Sequence, residues 1–306
     1  MRGSVRAILA VVALVAVAVG GCSSFDEWQR NAIFQTSASV RFPDDVPATV
    51  EAIELHHPNG DVVEAWFLRA ETPKAPTVLF LHGARRNLGG NFTRIERWRS
   101  LGFNVLAIDY RGFGHSTTLV PSEKTAIADA SLAFEELKRR EPEVGKRFIY
   151  GYSLGGALAI AVAAEHDGFA GTVIESSFTS IEDLIRQSKW GWVPGLALLV
   201  TQSFDSAERI RKVNAPLLFI HGTMDDIVPH TMSDELYADA VSVSPENKHV
   251  VKIEGARHWG AIGFSGDTYD RAVHDFVRSA SQAAILGAGV AVTVHSDGTS
   301  AAAIAP

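Results

Sequence analysis

A single cysteine, Cys22, stands among 306 residues, which excludes an intrachain disulfide and any zinc cluster built on cysteines. Positive charge is scarce as well. Lys and Arg number 28 against 35 Asp and Glu, a net of −7, and no basic stripe interrupts that balance. A chain that repels phosphate overall is a poor non-specific binder of nucleic acid. No internal repeat is visible, and the loop Leu81–Asn87 lacks the glycine spacing of a Walker or dinucleotide loop. What remains is an ordinary composition, 46% hydrophobic and 21% charged. That suits a chain able to bury a large core and excludes disorder throughout, a collagen-like chain and a coiled coil.

The N-terminus carries Arg2 and Arg6, then an uncharged, mostly apolar run from Ala7 to Gly21. This run is short of the roughly 20 residues a spanning helix needs and fits the apolar core of a signal segment. It ends Val19-Gly20-Gly21-Cys22, small residues placed directly before the only cysteine. The pattern resembles the bacterial lipoprotein signal. That resemblance implies lipidation of Cys22 and a protein held in the cell envelope by acyl chains, membrane-anchored without spanning. A plain secretory signal or an uncleaved anchor is the alternative.

From Thr49 onward, short apolar runs alternate with amphipathic stretches, which predicts an α/β fold: a mostly parallel sheet with helices on both faces. Thr49–His57 and Val62–Leu68 read as a hairpin around Pro58-Asn59-Gly60-Asp61. Buried strands are expected at Thr77–Leu81, Asn104–Ile108, Arg147–Tyr150, Gly171–Ile174, Leu217–Ile220 and His249–Ile253. Helices are expected at Phe92–Leu101, Ser122–Arg140, Leu154–Glu165, Thr231–Val241 and Thr268–Ala280. The organisation that follows is a signal peptide over 1–21 and a linker over 22–48. A single domain then covers 49–280, with a small cap at about 181–207 carrying Trp190, Trp192 and Leu196–Val200. Residues 281–306 are rich in Ala and Gly and are expected to form a disordered tail.

Gly151-Tyr152-Ser153-Leu154-Gly155 matches G-x-S-x-G. Alone it is a weak signal, but it follows an apolar strand and opens a helix, the setting in which such an elbow presents a nucleophile. Serine needs a base, usually a histidine oriented by a carboxylate. Of the 11 histidines, His258 lies on a Gly-flanked loop after the last strand. His249 falls inside a strand and His274 inside a helix, and His221 is expected to do structural work at its strand end. Three carboxylates sit at strand ends where an α/β sheet holds its ligands: Asp225, Asp226 and Glu175. Oxyanion donors are expected from the backbone N–H of Leu154 and, from the loop after the third strand, of Ala84.

These segments resemble the α/β-hydrolase superfamily of serine esterases. More narrowly, they resemble membrane-associated α/β-hydrolase-domain proteins that include depalmitoylases and lysophospholipid lipases. The resemblance is carried by residues 79–91, 108–116, 150–160, 175–184, 221–229 and 255–260. It implies that the acid is the aspartate of H-G-x-x-D-x-x-V-P, which falls on Asp225, and that Asp109, Arg111 and Gly112 form a structural turn. The chain departs from close relatives in carrying Ala84, then Arg85-Arg86, where they usually carry asparagine after His-Gly. The expected activity is hydrolysis of small-molecule carboxylic esters or thioesters with acyl or lipid-like groups, with no cofactor and no metal. The alternatives are an aminopeptidase-like amidase and a catalytically silent envelope scaffold. A haloalkane dehalogenase is disfavoured, since its nucleophile is an aspartate where Ser153 stands.

Overall fold

The apolar runs pair edge to edge into one sheet. A computed structural model describes residues 23–36, 49–189, 191–264 and 267–292. Its eight strands are β1 (Val50–His56), β2 (Val62–Leu68), β3 (Thr77–Leu81), β4 (Asn104–Ile108), β5 (Arg147–Tyr152), β6 (Gly171–Glu175), β7 (Leu217–Gly222) and β8 (Lys248–Ile253), in the order β1-β2-β4-β3-β5-β6-β7-β8. β1 pairs antiparallel with β2, and β2 with β4; every other pairing is parallel. Strands β3 to β7 are buried along their whole length apart from Asn104. This is why they read as continuous apolar runs instead of alternating ones.

The helices are α1 (residues 23–34), α2 (Leu88–Ser100), α3 (Glu123–Arg140), α4 (Leu154–Glu165), α5 (Ile181–Gln187), α6 (Ser206–Ile210), α7 (Thr231–Asp239), α8 (Ala261–Phe264) and α9 (Asp267–Val292). One core joins the sheet to α3, α4, α6 and α7; the other joins it to α2 and α9. Helix α3 starts at a reciprocal capping box between Ser122 and Thr125, which satisfies two otherwise orphaned donors. Helix α2 begins four residues before its expected start. The Asn87 side chain accepts from the Gly90 N–H and carries the helix through Gly89-Gly90, a pair whose low propensity hides the turn from a periodicity reading.

Two expectations are corrected. Residues 23–34 lie in the segment expected to be a linker, yet they form α1. Its Phe34 is wholly buried and packs edge-on to Phe113 and Phe204, a burial worth about 2 kcal/mol. The Phe34 carbonyl accepts from the Arg85 N–H at 2.9 Å, tying the helix end to the loop after β3. At the other terminus, α9 continues to Val292, into the stretch expected to be disordered. Alanine is the best helix former, and the Ser281 hydroxyl donates to the Gly145 carbonyl at 2.6 Å. Cys22, the expected signal segment, residues 37–48 and 293–306, and Trp190 lie outside the described residues.

Candidate active site

The parallel strands deliver their C-terminal ends to one rim, and the loops leaving that rim carry the polar residues. Between β5 and α4 the chain reverses at Ser153, whose φ of 54° and ψ of −120° are strained for a residue with a side chain. Close approach makes the turn possible. A Cβ on Gly151 would overlap the Gly155 carbonyl, and one on Gly155 would overlap the Leu81 carbonyl. The Ser153 N–H donates to the Glu175 carbonyl at 2.9 Å, and the Ser177 hydroxyl donates to the Ser153 carbonyl at 3.0 Å. Ser153 therefore stands at the N-terminus of α4, where the helix dipole favours negative charge.

The structure brings Ser153, His258 and Asp225 into one hydrogen-bonded chain. His258 Nδ1 lies 2.7 Å from Asp225 Oδ2, and His258 Nε2 lies 3.0 Å from Ser153 Oγ. An ionised carboxylate can only accept, so Nδ1 carries the imidazole proton and Nε2 is left to accept the Ser153 hydroxyl hydrogen. Burial works against the charge on Asp225. Hydrogen bonds from His221 and His258, and the backbone N–H of Val228, outweigh it and hold the carboxyl well below the usual carboxylate range. The backbone N–H groups of Ile227 and Val228 both donate to Oδ1 at 2.9 Å.

The other carboxylates at the rim are elsewhere. Asp226 is exposed and lies 3.6 Å from Arg257. The Glu175 side chain is buried in a separate network: it accepts from Arg94 at 2.7 Å, from Tyr150 at 2.7 Å and from Tyr269 at 2.8 Å. His221 Nε2 is shared between Asp225 Oδ2 and the Val228 carbonyl, each at 3.1 Å. His274 bonds the Leu101 carbonyl, and His249 lies within β8. Arg111 joins Asp129 and Asp61, each at 2.7 Å, next to Gly112 with its φ of 93°; this turn is structural.

Leu154 and Ala84, the expected oxyanion donors, line the same cavity as Ser153 and His258, a space of about 170 Å³. Gly83 brings the loop close, since a Cβ there would stand 3.2 Å from the Ser153 Cβ. Ile33 and Gln35 line the cavity too, so the N-terminal segment belongs to the site. The spacing of Phe25, Trp28 and Ala32, at i, i+3 and i+7, is the helical signal that could have located it.

A second feature was not visible in sequence. Arg94 of α2 is partly buried, its guanidinium 4.1 Å from the centre of the Tyr152 ring, and it donates to the Trp259 carbonyl at 3.2 Å. The Tyr152 hydroxyl donates to the His258 carbonyl at 2.9 Å. Burial opposes the charge of Arg94, but Glu175 and the surrounding tyrosines raise its pKa further above the ordinary arginine value. Among the described residues, no group of three His, Cys, Asp or Glu side chains could hold a metal ion.

A strained serine at the strand–helix elbow, a histidine after the last strand and an acid after β7 together outline a hydrolase of the doubly wound α/β class. Known proteins agree. A family model described as serine aminopeptidase, S33, matches residues 72–205. An uncharacterized protein of Mycobacterium tuberculosis is 32% identical over 286 residues, covering 91% of this chain and 97% of that one. The α/β hydrolase domain-containing protein WAV2 of Arabidopsis thaliana is 30% identical over 215 residues, covering 64% of this chain and 68% of its own. A Pyrococcus furiosus esterase, 20% identical, superposes with a TM-score of 0.65 over 80% of this chain and 96% of that one, a likeness of fold. The chain belongs to the α/β-hydrolase family.

Proposed function

We propose that this protein is a serine hydrolase that cleaves carboxylic ester or thioester bonds of acyl, lipid-like substrates through an acyl-enzyme. The observation that carries the reading is the hydrogen-bonded chain from Asp225 through His258 to Ser153. As Ser153 Oγ attacks the acyl carbonyl, His258 Nε2 takes its proton, and ionised Asp225 stabilises the imidazolium. The Leu154 and Ala84 N–H groups receive the charge developing on the carbonyl oxygen. The tetrahedral intermediate collapses, the bond to the leaving alcohol or thiol breaks, and His258 returns the proton to it. A water deprotonated by His258 then attacks the acyl-serine, releasing the acid and restoring Ser153.

The family description favours a second reading, an aminopeptidase-like amidase, since the same three residues serve amide cleavage. An aminopeptidase must hold its substrate's ammonium group, usually with a carboxylate. Apart from the triad, the charged residue lining the cavity is Arg85, which repels an ammonium. That favours esters. The test compares p-nitrophenyl acyl esters with aminoacyl p-nitroanilides on wild type, Ser153→Ala and His258→Ala. Ester turnover lost in both variants is expected; anilide turnover that exceeds it would establish the amidase instead.

The same proposal includes the lipid anchor at Cys22, which would hold the enzyme on a membrane of the bacterial envelope. Its support is the Val19-Gly20-Gly21-Cys22 sequence after an apolar run, and the exposed Trp28 and Trp192, 63% and 77% accessible, on α1 and the cap. Detergent-phase partitioning of wild type, abolished by Cys22→Ser, is the expected result; unchanged partitioning would refute the anchor.

A further inference from the structure

Two walls of the Ser153 cavity belong also to a second, larger space. Ile33 of α1 and Ile181 of α5 line both, and beyond them an apolar groove of about 400 Å³ runs between α1 and the cap. One side is built by Phe25, Trp28 and Ala32, the other by Ile185, Leu196 and Leu199. The polar residue in this lining is Gln29, and both ends of its amide are engaged. Its Nε2 donates to the Leu199 carbonyl at 2.7 Å, and its Oε1 accepts from the Thr201 N–H at 3.0 Å. These two bonds clamp α1 to the cap, and the other described side chains lining the groove are apolar.

A ligand filling both spaces is therefore an amphiphile of one kind: a reactive carbonyl at Ser153 and an unbranched hydrocarbon chain lying past Ile33 and Ile181. The chemistry decides which part of an ester that chain is. The leaving group must depart beside His258, which gives it a proton. On that side Trp259 also lines a cleft of about 560 Å³ with Arg86 and Arg97, a polar setting for the alcohol or thiol portion. We infer that the groove between α1 and the cap binds the alkyl chain of the acyl group, so that a helix from the N-terminal segment selects medium- to long-chain acyl esters.

This inference rests on the serine-hydrolase reading. Full burial of a methylene is worth about fourfold in binding, and a groove open on one side retains about two- to threefold. From acetate to decanoate, kcat/KM then rises about 10³-fold on that per-methylene factor.

The test measures kcat/KM for p-nitrophenyl acetate, hexanoate and decanoate, below their aggregation limits, on the full chain. Ala32→Trp, at an exposed position of α1, fills the groove without entering the core. Ile185→Asp sets a charge in the opposite wall. Each is expected to cut the decanoate-to-acetate ratio at least about tenfold, the loss of two or three buried methylenes. Acetate hydrolysis by wild type without a rise along the series overturns the groove while leaving the serine hydrolase intact. A steep rise that neither variant reduces also overturns it. Absence of both ester turnover and reaction of Ser153 with a fluorophosphonate removes the underlying reading as well.

Discussion

Arg94 holds the loop of His258 from a distance, and replacing it separates positioning from chemistry. Arg94→Met keeps the length of the stem but removes the guanidinium that lies against the Tyr152 ring and bonds the Trp259 carbonyl. It leaves Glu175 buried with two tyrosine hydroxyls as its remaining side-chain donors. Breaking a buried ion pair by removing one partner costs about 3–5 kcal/mol. Retention of both tyrosines places this case near the lower end, about 3 kcal/mol. The companion Glu175→Gln relieves the orphaned charge, so the double variant should be more stable than the sum of the singles by about 2 kcal/mol. Urea unfolding of the four proteins measures that coupling. In activity, a loosened His258 loop is expected to lower kcat for p-nitrophenyl acetate about 10- to 100-fold, since a misplacement of about 1 Å has that effect. KM should change less than kcat, because Arg94 lies outside the Ser153 cavity and lines only the neighbouring cleft. Stabilities additive within about 0.5 kcal/mol, with kcat unchanged, would refute this account of the network.

Further outcomes follow from the same geometry. Asp225→Asn removes the acceptor that fixes the His258 tautomer and should lower kcat about 10⁴-fold. Because burial is outweighed and the folded carboxyl titrates below its ordinary value, Asp225 contributes stability that is complete above the unfolded value of about 3.9. That contribution is lost as pH falls through the lower folded value. The gap in unfolding midpoint between wild type and Asp225→Asn should therefore narrow on acidification, and a gap independent of pH would contradict it. Phe34→Ala empties a wholly buried site between Phe113 and Phe204. It should destabilise the protein by about 3 kcal/mol, whereas a true linker residue would leave the urea midpoint unmoved.

The fold reads well from sequence where burial is two-sided and local signals agree. Strands β3 to β7 are apolar runs because a covered parallel sheet demands it, and Leu154–Glu165 follows its elbow directly. Helix α1 escapes because Asp26, Glu27, Gln29 and Arg30 dilute its apolar stripe, and its docking against the cap depends on residues about 170 positions away. Residues 281–292 differ for the opposite reason: an Ala/Gly-rich composition suggests disorder, yet Ala extends a helix that is already anchored. At the site, chain order and strand-end position single out Ser153 and His258. Asp225 and Asp226 are neighbours that only register on the loop can separate, and family resemblance made that choice. Arg94 stays hidden because an arginine that turns its guanidinium inward from an amphipathic helix looks, in sequence, like a solvated one. Its partner Glu175 is 81 residues away, and no local pattern links them.

An activated serine reacts with a fluorophosphonate where an ordinary one does not. Treatment of the folded protein with a fluorophosphonate probe, followed by peptide mass spectrometry, should find the adduct on Ser153, with no labelling of Ser153→Ala or His258→Ala. Absence of reaction in a folded wild-type protein, or an adduct on another residue with Ser153 unmodified, would contradict the assignment of Ser153, His258 and Asp225 as a catalytic triad.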